Sequence, residues 1–350
     1  MTITRADTAE PMRRVRDTDH DDAPPTTRAV PSAIRDAATA RHVERLPVSS
    51  DYRAFLASVR APALLSSANT ITNVTTARDQ AVQAKLDGVR DAFSGPYLVD
   101  GAQITAPPMF RMLRPKGNAI EAVVTASARW AGVVSRPAIV GQCTPQQLVK
   151  ITQALIDGGH LLPGPGDAAT RIREMQWHYG IGVDCAGYAK QAIAATAARV
   201  PTMYAPGWES FRDLDGKRAG SFAKQSIENA RPGDLITLDP VAPEIYGHNV
   251  VVYSHATADA AQRATMTAKY PVAAAAFLAS AGPHHVFEVD SSWGAGAEGN
   301  AYGGFRRDTW IYDASTKHWG SFDPRTTPPS FQISSRGPSG DVYHATYRAR

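Results

Sequence analysis

Cysteine is scarce in this chain, with two in 350 residues, Cys143 and Cys185. That is too few for a disulfide framework and enough for one bond at most. Long apolar runs are also missing: no stretch reaches the ~18 residues of a membrane span. The opening "MTITRADTAEPMRRVRDTDHDD" has no apolar h-region, so it does not read as a secretory signal. The expectation is therefore no membrane span, and a location that is cytoplasmic or reached by a specialised secretion route. Charge of one sign is lacking too. The 37 Lys+Arg and 33 Asp+Glu leave +4, with pI about 9.0, too mild and too evenly spread to argue for a nucleic-acid partner. With no Cys-x-x-Cys or His-x-x-x-His spacing, no metal site and no cofactor are expected.

What is present fits a folded protein, with 43% hydrophobic and 20% charged residues. At this length one main domain with extensions is expected. Residues 1–60 mix both charges with Pro, Thr and Ala and read as a disordered or partly helical leader, because little apolar surface offsets chain entropy. Residues 61–160 read as a helical extension. There, "TTARDQAVQAKLDGVRDAF" carries Val82, Leu86, Val89 and Phe93 at helical spacing behind a Thr cap. "CTPQQLVKITQALIDGG" adds Thr144 as N-cap, Pro145 at N1, Gln147 closing a capping box and an apolar stripe of Leu148, Ile151 and Leu155.

Residues 161–350 read as the main domain. Asp167 caps "AATRIREMQWHY", and "AGYAKQAIAATAARV" is an Ala-rich helix. Strands follow in "ARPGDLITLD", "GHNVVVYSH" and "HHVFEVDSSWG", then a hairpin in "GGFRRDTWIYDASTKHWGSF" and a last strand in "DVYHATYRAR". Between the second and third strands an Ala-rich helical insertion is interrupted near Pro271. Helices first and antiparallel strands after them make the fold class α+β.

The chemistry centres on "YGIGVDCAGYAKQ". Asp184 as N-cap puts Cys185 at N1, where the macrodipole and free N–H groups favour thiolate over thiol. A thiolate there is a nucleophile, and the same N–H groups can form part of an oxyanion hole. A disulfide to Cys143 would block it. His248 lies 63 residues on (248 minus 185), at the start of a strand behind Gly247, and is the candidate general base. Asp290 follows 42 residues later (290 minus 248). By alternation Val286, Glu288 and Asp290 share one face, so Asp290 is expected to orient His248. Glu288, Ser292 and His285 are weaker candidates for that role, and a turn-forming use of Asp290 is the structural alternative. Tyr179 lies on the approach to Cys185, Arg306 and Arg307 could meet a substrate carboxylate, and Cys143 reads as a small buried thiol.

"VDCAGYAKQ", "RPGDLITL" and "GHNVVVYS", followed by a strand ending in polar residues, resemble the NlpC family of papain-like cell-wall cysteine peptidases and the related CHAP amidases. In that family an Asp-Cys-Ser-Gly motif opens the catalytic helix, a Pro-Gly-Asp-Leu turn leads into the first strand, and Gly-His-Val starts the second. The resemblance covers about residues 177 to 312. It implies a papain-like domain whose N-terminal catalytic helix packs on an antiparallel sheet, with Cys185 as nucleophile, His248 as base and Asp290 as third member. It also implies Tyr179 or Tyr188 near the oxyanion. Ala186 replaces the usual Ser, Asn249 stands where Val is common, and the gap between His248 and the third strand is unusually long.

The activity implied is amide hydrolysis through an acyl-thioester, with a peptidoglycan stem or cross-link peptide as substrate. A secretion or delivery partner would engage the leader. Two other readings stand beside it: a transglutaminase-like or acyltransferase enzyme, in which an amine or lipid replaces water, and a non-catalytic structural or targeting protein on the same scaffold.

Overall fold

The computed structural model describes residues 76–111, 117–164, 166–197, 222–240, 247–261, 263–264, 272–293, 303–323, 330–338 and 341–349. The expected leader, residues 1–60, lies outside them. Among the described residues are seven helices: α1 (Ala77–Phe93), α2 (Asn118–Trp130), α3 (Arg136–Ile139), α4 (Pro145–Asp157), α5 (Ala168–Tyr179), α6 (Cys185–Thr196) and α7 (Val272–Leu278). None is long and apolar enough to cross a membrane. A short hairpin, β1 (Tyr97–Val99) and β2 (Ala102–Ile104), follows α1. The other strands are β3 (Phe222–Gln225), β4 (Leu235–Asp239), β5 (His248–Ala258), β6 (His284–Trp293), β7 (Gly304–Asp313), β8 (His318–Asp323), β9 (Ser330–Ser334) and β10 (Val342–Ala349). They form one antiparallel sheet in the order β3-β10-β4-β5-β6-β7-β8-β9, so the α+β class holds.

The helices start where local chemistry says they must. Thr76 and Thr144 each close a capping box, with Asp79 and Gln147 returning the bond, and Pro145 occupies the first turn of α4. Asp167 caps α5 by accepting from the Thr170 N–H, and Gly180 ends that helix in the left-handed region at φ 64°. Asp184 caps α6 through the Gly187 N–H. Four strand stretches read from alternation and turns, "LITLD", "HNVVVYSH", "HHVFEVDSSW" and "VYHATYRA", appear as β4, β5, β6 and β10.

The sheet has two covered faces. On one, Leu235, Val251, Phe305, Ala345 and Tyr347 pack with α1, α2, α4, α5 and α6 into the main core. On the other, Ile236, Leu238, Val250, Val252, Phe287, Val289, Trp293 and Trp310 form a second core that the sheet closes by curling on itself. The curl brings Trp319 of β8 to 5.3 Å from Tyr343 of β10, although four strands separate them in the sheet. A smaller cluster seats α7 against Val286 and Ile311.

The described residues of the 61–160 segment, 76–111 and 117–160, do not form a separable layer. Leu86, Phe93, Val124, Leu148, Ile151 and Leu155 are fully buried in the same core as Tyr188, Ile193 and Val251. The helical layer is tied to the sheet by an ion cluster at Asp290, which is 1% exposed. Arg307 donates to both its oxygens at 2.8 Å, and Arg90 of α1 donates at 3.0 Å. Arg307 also reaches Asp87 of α1 at 2.8 Å and lies 3.1 Å from the Tyr253 ring centroid, while the Tyr253 hydroxyl donates to Asp87.

Two outcomes follow. A chain reduced to residues 161–350 is expected to show no cooperative thermal transition by circular dichroism, since ten of the 25 buried residues of the main core leave with the deleted segment. Arg307→Ala, which leaves a buried carboxylate with Arg90 as its one cation and a long bond from the Tyr188 hydroxyl, should lower stability to urea by about 3 kcal/mol.

Candidate active site

Cys185 stands at the first position of α6, and the approach to it is a three-way backbone junction. The Val183 N–H donates to the Met109 carbonyl, the Arg111 N–H to the Val183 carbonyl, and the Asp184 N–H to the Gly141 carbonyl. Gly187 sits so close to that Gly141 carbonyl that a Cβ would overlap it, which lets the first turn of α6 seat directly on the 141–142 segment. Ser292 of β6 closes the junction from the sheet side, donating to the Val183 carbonyl at 2.6 Å. The glycines and Asp184 thus fix the Cys185 backbone from three sides.

The thiol environment differs from the expectation of a stabilised thiolate. Burial, reinforced by the neighbouring Asp184 charge, pushes the Cys185 thiol up to about 12, against smaller opposing contributions from the Asn249 and Ala186 N–H groups. Asp184 is itself pushed up to about 7 by burial, opposed by the Gly187 N–H and the Lys190 charge. Desolvation therefore outweighs the helix terminus, because the carboxylate that caps the helix also faces the sulfur. The resting group is a thiol. Both cysteines are free, so the disulfide alternative does not apply; Cys143 is fully buried, with its sulfur 3.6 Å from the Gly182 carbonyl.

The residue that meets the sulfur is Asn249, whose Nδ2 lies 3.9 Å from Cys185 Sγ. His248 does not. Leu238 and Thr237 pair with His248 and Asn249, respectively. Leu238 belongs to the inner core of the curled sheet, which places His248 on the face away from α6. Its ring centroid lies 4.0 Å from that of Trp293, with the rings tilted by 35°, and its Nε2 is buried without a hydrogen-bond partner. Burial, with Arg306 next, lowers its pKa to about 3, so the imidazole is neutral across the ordinary pH range.

Asp290 shares the helix-side face, as alternation predicts, but it pairs across β5 with Val251 and is held by Arg307 and Arg90. It therefore has no bond to His248: adjacent strand residues point to opposite faces, and the two side chains lie on different sides of the sheet. Tyr188 is fully buried beneath α6 with its hydroxyl 3.4 Å from Asp290, and Tyr179 is bonded to His160 Nδ1 at 3.0 Å. Both phenols are raised by burial. Among the weaker candidates, Glu288 accepts from Ser254, His285 bonds His255, and Ser292 alone lies at the Cys185 junction. Arg306 pairs with Asp308 on the inner face.

The structure thus brings together Cys185, Asn249 and Ser292 where the sequence predicts Cys185, His248 and Asp290. The signal for Asn249 was available: if Val251 faces the helices, so does the residue two before it. Among the described residues no group of three His, Cys, Asp or Glu side chains is arranged to hold a metal. The chain matches no known family profile, no curated protein and no solved structure.

Alkylation of Cys185 by iodoacetamide should be at least ~10-fold slower at pH 7 than that of a free cysteine and should still be rising at pH ~10, where a free cysteine of pKa ~8.5 has levelled off. Asn249→His, which sets an imidazole on the face of the sulfur, should accelerate it at pH 7 by ~10-fold or more, read by mass spectrometry. A depressed histidine pKa adds stability that is complete above the unfolded value of ~6.5 and lost as pH falls toward the folded one. For His248 the folded value is about 3 and for His255 about 4. Melting temperature should therefore fall between pH 6.5 and 4, and less steeply in His255→Gln.

Proposed function

We propose that the chain is a cysteine-dependent amide hydrolase on a papain-like scaffold of the NlpC and CHAP kind, acting on peptidoglycan stem or cross-link peptides. One observation carries the reading: the only partly exposed cysteine opens a capped helix that packs across the leading end of β5. In this mechanism Cys185 Sγ attacks the amide carbon as its proton passes to His248. Collapse of the tetrahedral intermediate breaks the C–N bond, the amine leaves with that proton, and a thioester remains. Water activated by His248 then releases the acid and restores the thiol. The backbone N–H groups at the start of α6 are the oxyanion donors.

This chemistry needs His248 on the helix side of the sheet, so the first residues of β5 must exchange faces before turnover. A second reading is favoured by the same residues in place: with Asn249 at the sulfur, His248 against Trp293 and Asp290 held by two arginines, the scaffold has no assembled base and serves a structural or targeting role.

Digestion of purified peptidoglycan separates the two. The hydrolase reading expects release of new amino termini, abolished in Cys185→Ala and reduced at least ~100-fold in His248→Ala. Equal release by the wild type and Cys185→Ala, or none by either, leaves the structural role. Incorporation of a fluorescent amine in place of hydrolysis would redirect the assignment to acyl transfer.

A further inference from the structure

The inner face of the curled sheet carries an unexplained concentration of unsatisfied polar atoms. Among the described residues, eight buried side-chain nitrogens and oxygens lack a hydrogen-bond partner, and four of them, His248 Nε2, Trp293 Nε1, Trp310 Nε1 and Arg306 Nε, belong to one cluster. The His248 ring lies 4.0 Å from that of Trp293, and the Trp293 ring 6.2 Å from that of Trp310. The Arg306 guanidinium stands 4.4 Å from the Trp293 ring, and Arg306 Nε is 2.6 Å from Asp308 Oδ1 but outside hydrogen-bond alignment. Arg306 is already met by the Asp308 carboxylate, whereas each of the other three buried groups costs about 1–3 kcal/mol while unmet, so the imidazole and the two indoles call for a common partner. The cluster reaches solvent at its His248 and Arg306 end, where both residues are partly exposed, and deepens to Trp310, which is fully buried.

The donor inventory fixes the chemistry of that partner. Indole N–H and guanidinium N–H groups only donate, so the partner must present an acceptor oxygen. A neutral imidazole has one donor and one acceptor nitrogen, so it can also take an N–H from the partner. A carboxylate fits poorly, because Asp308 already balances Arg306 and a second buried negative charge would be uncompensated. A hydrocarbon leaves every orphan unmet. We infer that the His248–Trp293–Trp310–Arg306 cluster is a recognition subsite for a neutral secondary amide, its carbonyl accepting from the indoles and its N–H donating to His248. Two sources share this chemistry, a peptide bond and the acetamido group of an amino sugar. The subsite lies on the opposite face of the sheet from Cys185 and does not depend on the hydrolase reading.

The test uses the full-length protein and its indole N–H resonances, assigned with Trp293→Phe and Trp310→Phe. Wild-type protein is titrated with N-acetylglycine N-methylamide, with N-acetylglucosamine, and with sodium acetate at constant ionic strength. The expected result is a saturable shift of the Trp293 and Trp310 resonances with one or both amides, at least ~10-fold weaker with acetate, and weakened at least ~10-fold in His248→Phe. Response to the dipeptide analogue alone assigns a peptide source, to the sugar alone an amino-sugar source, and to both the amide group itself. If neither amide moves the two resonances, the orphans are met by ordered water only and the proposal is overturned. Acetate binding as well as the amides overturns it equally. Because the wild-type titration decides these outcomes, a variant that fails to fold does not.

Discussion

A carboxylate buried to 1% exposure cannot stand alone, and Asp290 is the point at which this molecule satisfies that requirement. Arg307 meets it along its full fork and Arg90 comes from a helix 200 positions away in the chain, so the same group that fixes the β6–β7 pairing also docks α1 on the sheet. Asp87 and Tyr253 extend the cluster across β5. With α1 set, α6 has one place to lie, its Tyr188 beneath it against Phe305 and Asp290. The residue expected to serve catalysis is instead the fastening between layers, and the cost of breaking it is mainly the cost of stranding its charge.

That fastening also governs what faces the thiol. Once Val251 is paired with Asp290 on the helix side, alternation along β5 carries Asn249 to the sulfur and His248 to the inner core. A one-residue change of face would reverse both, which is why this strand end separates an enzymatic reading from a structural one. The electrostatics agree with the geometry. The thiol is held protonated by burial and Asp184, while the imidazole is held neutral by burial among aromatics, so neither group is charged in the resting arrangement.

The two faces of the sheet then have separate chemistries. The helix side offers one thiol at a tightly knit junction of glycines and backbone bonds. The inner side offers an aromatic cluster rich in donors and short of acceptors. His248 lies on the second, and this gives it a different prospective role from the one its sequence context suggests.

Much of this was legible from residue order alone, where the deciding interactions are local. Thr76, Thr144, Asp167 and Asp184 start helices because their side chains reach N–H groups three residues on, and a short window contains both partners. Cys185 at N1 follows from the same rule, as does the run of antiparallel strands with its face alternation. The sequence could not decide which of two adjacent side chains, His248 or Asn249, meets that cysteine, nor that Asp290 is claimed by Arg90 and Arg307. Those choices depend on register between distant strands and on the cost of burying charge, and both are set only when the whole sheet and its helical layer come together.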